Sequence, residues 1–437
     1  MKIELLLTGD ELMTGDVIDS NSAMVADKLM ACGWELTRKT TVGDKLEQLI
    51  AELQRLSQAA DVLIMNGGLG PTSDDYTAQA LAAAAGKPLQ MHPLAMKHVE
   101  QWCAQRGFTM TEASQKQALL PAGCEIVANP VGSAVGFCLT LHQCLVICTP
   151  GVPVELASML EESVVPLLRE QYQRWCNAQD VSEMAPVAVK KLQVFGLGEA
   201  AIQTRIHKLL PDWPAHIVLG YRASPTLVDV KLTTHSLLAQ HEVPYWCGRL
   251  RDILDAHVIG EDDATLESTL VSALAARSMK MVTAESCTGG RIAASITRIA
   301  GASQVFDAGL VTYSNAMKVR VLGVSPQTLE THGAVSEAVV QEMLTGALDA
   351  SGADVGVAVS GIAGPEGGSP DKPVGLVWLA WGSHKLMQTA ALYYPGGRDL
   401  FQTRVTSVAL DLLRRFTLGI EASPCYLHDR KFNSGPG

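Results

Sequence analysis

An α/β fold is predicted: two three-layer α/β domains with mainly parallel sheets, joined by a small α+β module. Three observations carry this reading. Short apolar runs, "IELLL" at 3–7, "DVLIMN" at 61–66 and "LVICTP" at 145–150, lead into turns with helical patterns beyond them. The same strand-then-helix alternation starts afresh near 265 and runs to about 420. Between the two, "TLVDVKLTT" alternates Val228, Val230 and Leu232 with Asp229, Lys231 and Thr233, as a half-buried strand does.

Composition agrees with several independent cores. The chain has 437 residues, 47% hydrophobic and 18% charged, more than one typical domain accommodates. Thirty-four basic against 45 acidic residues give a net charge of −11, which argues against a broad nucleic-acid-binding face. No apolar stretch approaches the roughly 18 residues of a membrane span, and "MKIELLLTGDE" turns polar too early for a secretory leader. A soluble, cytoplasmic protein without a membrane partner is expected. The 10 cysteines form no CxxC pair, so reduced, mostly buried thiols are expected rather than a disulfide framework or zinc cluster.

The elements divide the chain at 1–170, 181–260 and 265–420. The composition shift in "QYQRWCNAQDVSEM" (171–184) reads as a linker, and the 421–437 tail, with "SPCYLHDRKFNSGPG", has no periodicity and is expected to be mobile. The middle segment opens with "KLQVFGLGEAAIQTRIHKLL", a strand, a turn and a helix.

The densest chemistry lies in the last segment. "MKMVTAES" (279–286) reads as a strand, and Ile292, Ile296 and Ile299 mark one face of a helix, so "SCTGG" sits where strand becomes helix. Backbone N–H groups and the positive end of the helix dipole would welcome an oxyanion or phosphate there. Gly289 and Gly290 would let a substrate approach the backbone. Ser286, Cys287 and Thr288 are all candidate nucleophiles, while Ser286 or Thr288 could equally just cap the helix. Farther on, "GLVTYSNAMKVRVLGV" carries Tyr313, Asn315 and Lys318 beyond a strand end. A desolvated lysine can lose its proton and act as a base. "HGAVSE" and the glycine-rich "VAVSGIAGPEGGSPDKPVG" (357–375), with Gly361 and Gly364, complete a pocket of strand-end loops.

These motifs together resemble the CinA carboxy-terminal (PncC) domain over essentially all of 265–415. The resemblance implies hydrolysis of the carboxamide of nicotinamide mononucleotide to nicotinate mononucleotide and ammonia, with Ser286 as nucleophile and Lys318 as its base and no cofactor. Tyr313 is expected to assist by hydrogen bonding, and Cys287 to pack behind the serine. Thr288, Gly289, Gly290, Gly361 and Gly364 are expected to line the substrate site. The substrate's phosphate needs a cation; Arg398, one turn before the apolar stripe Phe401, Val405, Val408 and Leu412, is the first choice and Arg404 the second.

In the first segment, "LLLTGDELMTGDVIDSN" and "LIMNGGLGPTSDDYT" place carboxylates after strand ends. Gly67, Gly68, Gly70 and Thr72 form a candidate phosphate loop. Carboxylates beside phosphates require a divalent cation, for which Asp19, Asp74 and Asp75 are the candidate ligands. With "NPVGSAVGF" and "TPGVPVEL", this segment resembles the MoaB/MogA-like molybdopterin-binding domain of CinA proteins, which implies metal-dependent hydrolysis of ADP-ribose to AMP and ribose 5-phosphate. Leu69 stands where molybdopterin proteins usually have Thr, which weakens the case for molybdopterin itself. The middle module resembles the KH-like piece of full-length CinA and is read as a spacer or dimer contact, with a homodimer expected. The alternatives are activity in only one half, or a competence or DNA-repair accessory that binds a protein partner.

Overall fold

The computed structural model describes residues 1–179, 188–234 and 240–432. The chain divides into two compact units, Met1–Val189 with Thr234–Gln240, and Lys190–Thr233 with His241–Gly437. Among the described residues no helix is long and apolar enough to cross a membrane.

The first unit is built on strands β1 (Ile3–Thr8), β2 (Leu36–Val42), β3 (Val62–Asn66), β6 (Glu125–Val127), β7 (Gly136–Leu141) and β8 (Cys144–Thr149), with β4 (Leu89–Met91) and β5 (Leu119–Pro121) as a separate pair. The six-stranded sheet runs β2-β1-β3-β8-β7-β6. Its pairs β1–β2, β1–β3 and β3–β8 are parallel, and β7 and β6 add antiparallel. Every residue of β1 and β3 is buried, because helices cover both faces, and hence both strands read as unbroken apolar runs. Helices α2 (Leu46–Ser57) and α3 (Thr77–Ala84) close one face over Leu6, Leu63 and Met65. Helix α1 (Asn21–Ala31) and the helical stretch from Pro153 close the other over Leu5, Leu7 and Ile64. Asn66 is level with both Leu7 and Thr149, so the loops after β1, β3 and β8 open on one edge, where the order reverses around β1. The expected linker begins later than the sequence suggested: helix α4 (Val165–Gln179) continues through 171–179, with Cys176 buried. The rest of that stretch, 180–184, lies outside the described residues.

In the second unit, β9 (Ala188–Phe195), β10 (Val218–Ala223), β11 (Leu227–Thr234) and β12 (Val258–Glu261) form a sheet ordered β10-β11-β9-β12. Helices α5 (Glu199–Leu209) and α6 (Val243–Leu254) pack Ile202, Ile206, Trp246 and Leu250 onto Val194, Val228, Val230 and Leu232. The alternation read from β11 is the observed one.

The remaining strands, β13 (Met281–Glu285), β14 (Phe306–Val311), β15 (Val355–Gly361), β16 (Leu376–Gly382) and β17 (Met387–Tyr393), are ordered β14-β13-β15-β16-β17. The first three are parallel and β16–β17 returns as an antiparallel hairpin. On one face lie α7 (Leu266–Ala276), α8 (Arg291–Thr297) and α11 (Arg398–Leu418); on the other lie α9 (Asn315–Leu322) and α10 (Glu337–Ser351). Helices α9 and α10 meet closely at Gly346, where an added Cβ would stand 1.8 Å from the Leu322 carbonyl oxygen. At the far end of α11, buried Asp411 binds Arg414, Arg415 and the Tyr426 hydroxyl, and both arginines also donate to the Ala256 carbonyl oxygen. The segment expected to be mobile is therefore packed as far as Phe432: Tyr426 is buried, and the Phe432 N–H donates to Ala391.

Candidate functional site

Strand β13 ends in Glu285 and delivers Ser286 at the edge of the sheet, where the Ser286 N–H donates to the Val359 oxygen of β15. Helix α9, capped by the Ser314 side chain, carries Lys318 on its inner side. The Lys318 Nζ lies 2.9 Å from Ser286 Oγ, 32 residues away in sequence, and 2.8 Å from the Thr312 carbonyl oxygen. Lys318 is 1% exposed and Ser286 8%. Burial pulls the lysine below its ordinary value of 10.5, toward the neutral amine. Among the described residues no carboxylate is ion-paired to it. A hydroxyl against a desolvated amine is the arrangement a serine nucleophile with a lysine base requires.

Cys287 faces the other way, into the apolar core, and burial pushes its thiol up to about 12. That makes it a poor nucleophile.

One residue that organises the site was not singled out from the sequence. Glu285 is fully buried, and its carboxylate accepts hydrogen bonds from the N–H groups of Gly290 (3.0 Å), Ile292 (3.1 Å) and Ala293 (2.8 Å) and from Thr288 Oγ1 (2.7 Å). It supplies negative charge and acceptors to the first turn of α8 from within the protein. The expectation of free helix N–H groups for an oxyanion is corrected accordingly: those three face Glu285. The Gly289 N–H donates to the Ser286 carbonyl oxygen and the Arg291 N–H to that of Thr288, while the N–H groups of Cys287 and Thr288 lie on the Cys287 sulfur.

Other expected contacts shift for equally local reasons. The Thr288 side chain is taken up by Glu285 and cannot touch a substrate. Gly361 is required by packing, since a Cβ there would lie 2.7 Å from the Leu376 oxygen and 3.1 Å from the Phe401 ring. Around Gly289 no atom lies within 4 Å of an added Cβ, and this glycine is open for close approach. The Tyr313 hydroxyl is directed away from the dyad and accepts from Arg398 at 2.8 Å; the residue meets Lys318 through its backbone oxygen. Arg398 does not join the buried stripe below it. Its guanidinium stays exposed and bridges Tyr313 and the Gly364 oxygen (3.0 Å). Arg404 lines a different cavity.

In the first unit, a cleft of about 560 Å³ opens at the strand ends, lined by Thr8 and Gly9, by the loop Gly67–Pro71, and by Pro150–Pro153. Glu11, Asp44, Asp74, Asp75 and Glu155 also reach it. Gly67 has φ +111, and a Cβ there would meet the Thr8 oxygen at 2.5 Å, so the close passage of this loop over β1 needs glycine. Thr72 donates through both N–H and hydroxyl to Asp75, which holds the loop rather than facing outward as a free ligand. Leu69 is packed in the core beneath.

The three proposed metal ligands do not come together. Asp19 does not line the cleft. Burial would raise its carboxyl, but hydrogen bonds from Lys39 and Ser22 outweigh this and hold it below its ordinary range. Among the described residues no group of three His, Cys, Asp or Glu side chains is arranged to hold an ion, so Asp19, Asp74 and Asp75 do not fit as a ligand set.

The chain thus joins two three-layer α/β domains, each with a candidate site where its parallel strands end. Residues 4–170 match the family described as "Probable molybdopterin binding domain", and residues 263–417 match the CinA C-terminal domain. A CinA-like protein of Colwellia psychrerythraea is 47% identical over 99% of this chain and 98% of that protein. One from Shewanella woodyi is 41% identical over 96% of each. Among solved structures, a CinA superfamily protein from Klebsiella pneumoniae is 40% identical and covers 35% of this chain and 96% of its own, with a TM-score of 0.35. The chain belongs to the CinA family.

Proposed function

We propose that the second unit hydrolyses the carboxamide of nicotinamide mononucleotide to nicotinate mononucleotide and ammonia. The observation that carries this reading is the 2.9 Å contact between Ser286 and the buried Lys318. Ser286 Oγ attacks the amide carbon as Lys318 takes its proton. The open space over Gly289 leaves room for the tetrahedral oxygen beside this turn. As the C–N bond breaks, Lys318 returns the proton to the leaving nitrogen and ammonia departs, leaving an ester on Ser286. Water then attacks that ester, losing a proton to Lys318, which returns it to Ser286 Oγ as the acyl C–O bond breaks; the acid released gives up its own proton to solvent and leaves as the carboxylate. Arg398 offers the substrate's phosphate a cation at the mouth. Ammonia release from nicotinamide mononucleotide by the purified protein tests this; none above the rate of a Ser286→Ala control would refute it.

For the first unit we infer hydrolysis of ADP-ribose to AMP and ribose 5-phosphate. The glycine loop and open strand-end cleft support it, since such edges accommodate phosphates. Appearance of AMP from ADP-ribose is the measurement, and its absence with or without added divalent ions would remove the reading.

A further inference from the structure

We propose that the second unit carries a separate binding site for a phosphate monoester of mononucleotide size, between the middle sheet and α11. A cavity of about 300 Å³ lies there, lined by the loop Gly196–Leu197–Gly198 after β9, the turn between β10 and β11, Tyr394, Arg404 and Arg430. This volume is at the lower end for small-ligand pockets, fitting a mononucleotide better than a dinucleotide.

Four features assign the chemistry. Among the described residues Arg404 and Arg430 make no ion pair or side-chain hydrogen bond; Arg404 is half-buried, and Arg430 is exposed and lies over the Tyr394 ring at 6.0 Å. Two unpaired guanidiniums on one cavity suit a dianionic phosphate. Tyr394 is 6% exposed, yet its hydroxyl makes no hydrogen bond within the described chain, and it lies near both arginines. The ring is packed in the protein while the residue lines the cavity, so its hydroxyl is a donor open to a ligand there. Burial holds it protonated, with its ordinary value pushed up to about 12.

The glycine loop is the third feature. It leads from a strand straight into α5, whose first turn has no side-chain cap, so its N–H groups face outward. Gly196 is needed by the fold, because a Cβ would meet the Tyr426 ring at 2.9 Å, but over Gly198 nothing lies within 4 Å. The space above Gly198 is open to a ligand atom. Fourth, Glu199 also lines the cavity and is exposed; as an acceptor it suits a sugar hydroxyl and disfavours a second phosphate next to it.

The site stands apart from the Ser286–Lys318 dyad and does not depend on the activity assigned to it. Calorimetric titration of the full chain with AMP, with inorganic phosphate and with adenosine tests the proposal. AMP and phosphate are expected to bind and adenosine not to. In the Arg404→Gln/Arg430→Gln variant one AMP-binding event per chain is expected to weaken at least about 10-fold, from the loss of charge-assisted hydrogen bonds. Tyr394→Phe should weaken the same event severalfold, and carries the test if the double variant fails to fold. AMP stoichiometry and affinity unchanged in these variants, or no AMP binding beyond that of adenosine, would overturn the proposal.

Discussion

Lys318 contacts a hydroxyl and two carbonyl oxygens, and its burial away from water disfavours the ammonium form. Ser286→Ala and Lys318→Ala are each expected to cut deamidation by about 10⁴-fold, and the double variant no further, because nucleophile and base act as one unit. Cys287→Ala should retain most of the activity; a dead cysteine variant beside an active serine variant would reverse the assignment. The lysine also sets the pH behaviour. Activity should rise with pH as Lys318 loses its proton, with a midpoint below 10.5, and a kcat profile reads this directly. For stability the sign follows from proton counts. Between the folded value and 10.5 the unfolded lysine holds a proton that the folded one lacks, so stability rises with pH across that window. Below the folded value the full cost of burying an ammonium is present. Lys318→Met should therefore remove this slope and raise the melting temperature at neutral pH while abolishing activity. Glu285→Gln replaces an acceptor of three N–H groups with a side chain that is half donor. A loss of about 1.5–3 kcal/mol is expected from the charged hydrogen bonds, together with a fall in kcat; denaturant unfolding and kinetics would show whether loop and activity fail together.

Among the elements, α9 matters most because it fixes where Lys318 stands. Its end is seated on Gly346 of α10, so Gly346→Val should push α9 outward and lengthen the Ser286–Lys318 contact. The expected result is a drop in kcat of at least about 10-fold, given how steeply rates fall with misplacement, in a protein that still folds. Wild-type kinetics in a folded Gly346→Val variant would show that α9 is held by other contacts. Sequence periodicity made the strands and most helices legible, since β1, β3 and β13 are buried on both faces and β11 on one. It also brought Ser286 and Lys318 among the candidates, because both follow strand ends, while the resemblance to the CinA carboxy-terminal domain supplied their roles. Glu285 stayed hidden: at the end of an apolar strand a lone acid looks like any exposed residue, and its partners are backbone groups that leave no mark in composition. A carboxylate four to eight positions before a helix start was the available clue. The tail was misjudged because Tyr426 is anchored by Asp411, a partner that no local pattern around 423–432 announces. Thr288 and Asp75 were read as facing a ligand, but their nearest partners lie a few residues away, and short polar side chains satisfy local groups first.

At the scale of the whole chain, the two compact units predict two separable activities. Carboxylates line the first cleft, but among the described residues no group of three is arranged to hold an ion. Among the described residues no carboxylate is ion-paired to Lys318, and Glu285 is occupied by backbone N–H groups. A chelator should therefore leave deamidation unchanged. Assays of ammonia release with and without EDTA decide this, and loss of the activity with EDTA would contradict it.

Helix α11 has a mechanical consequence. It is 21 residues long, and at 1.5 Å per residue Arg398 and Arg414 stand roughly 24 Å apart along it. One end is clamped by Asp411, two arginines and Tyr426 against the Ala256 oxygen, while Arg398 at the other end is exposed. The helix is a beam supported at both ends: Asp411 anchors its root, and near its tip Phe401 is buried and Gln402 donates to the Cys287 oxygen. A load applied at Arg404, partway along, is shared between that root and the arginine that braces Tyr313.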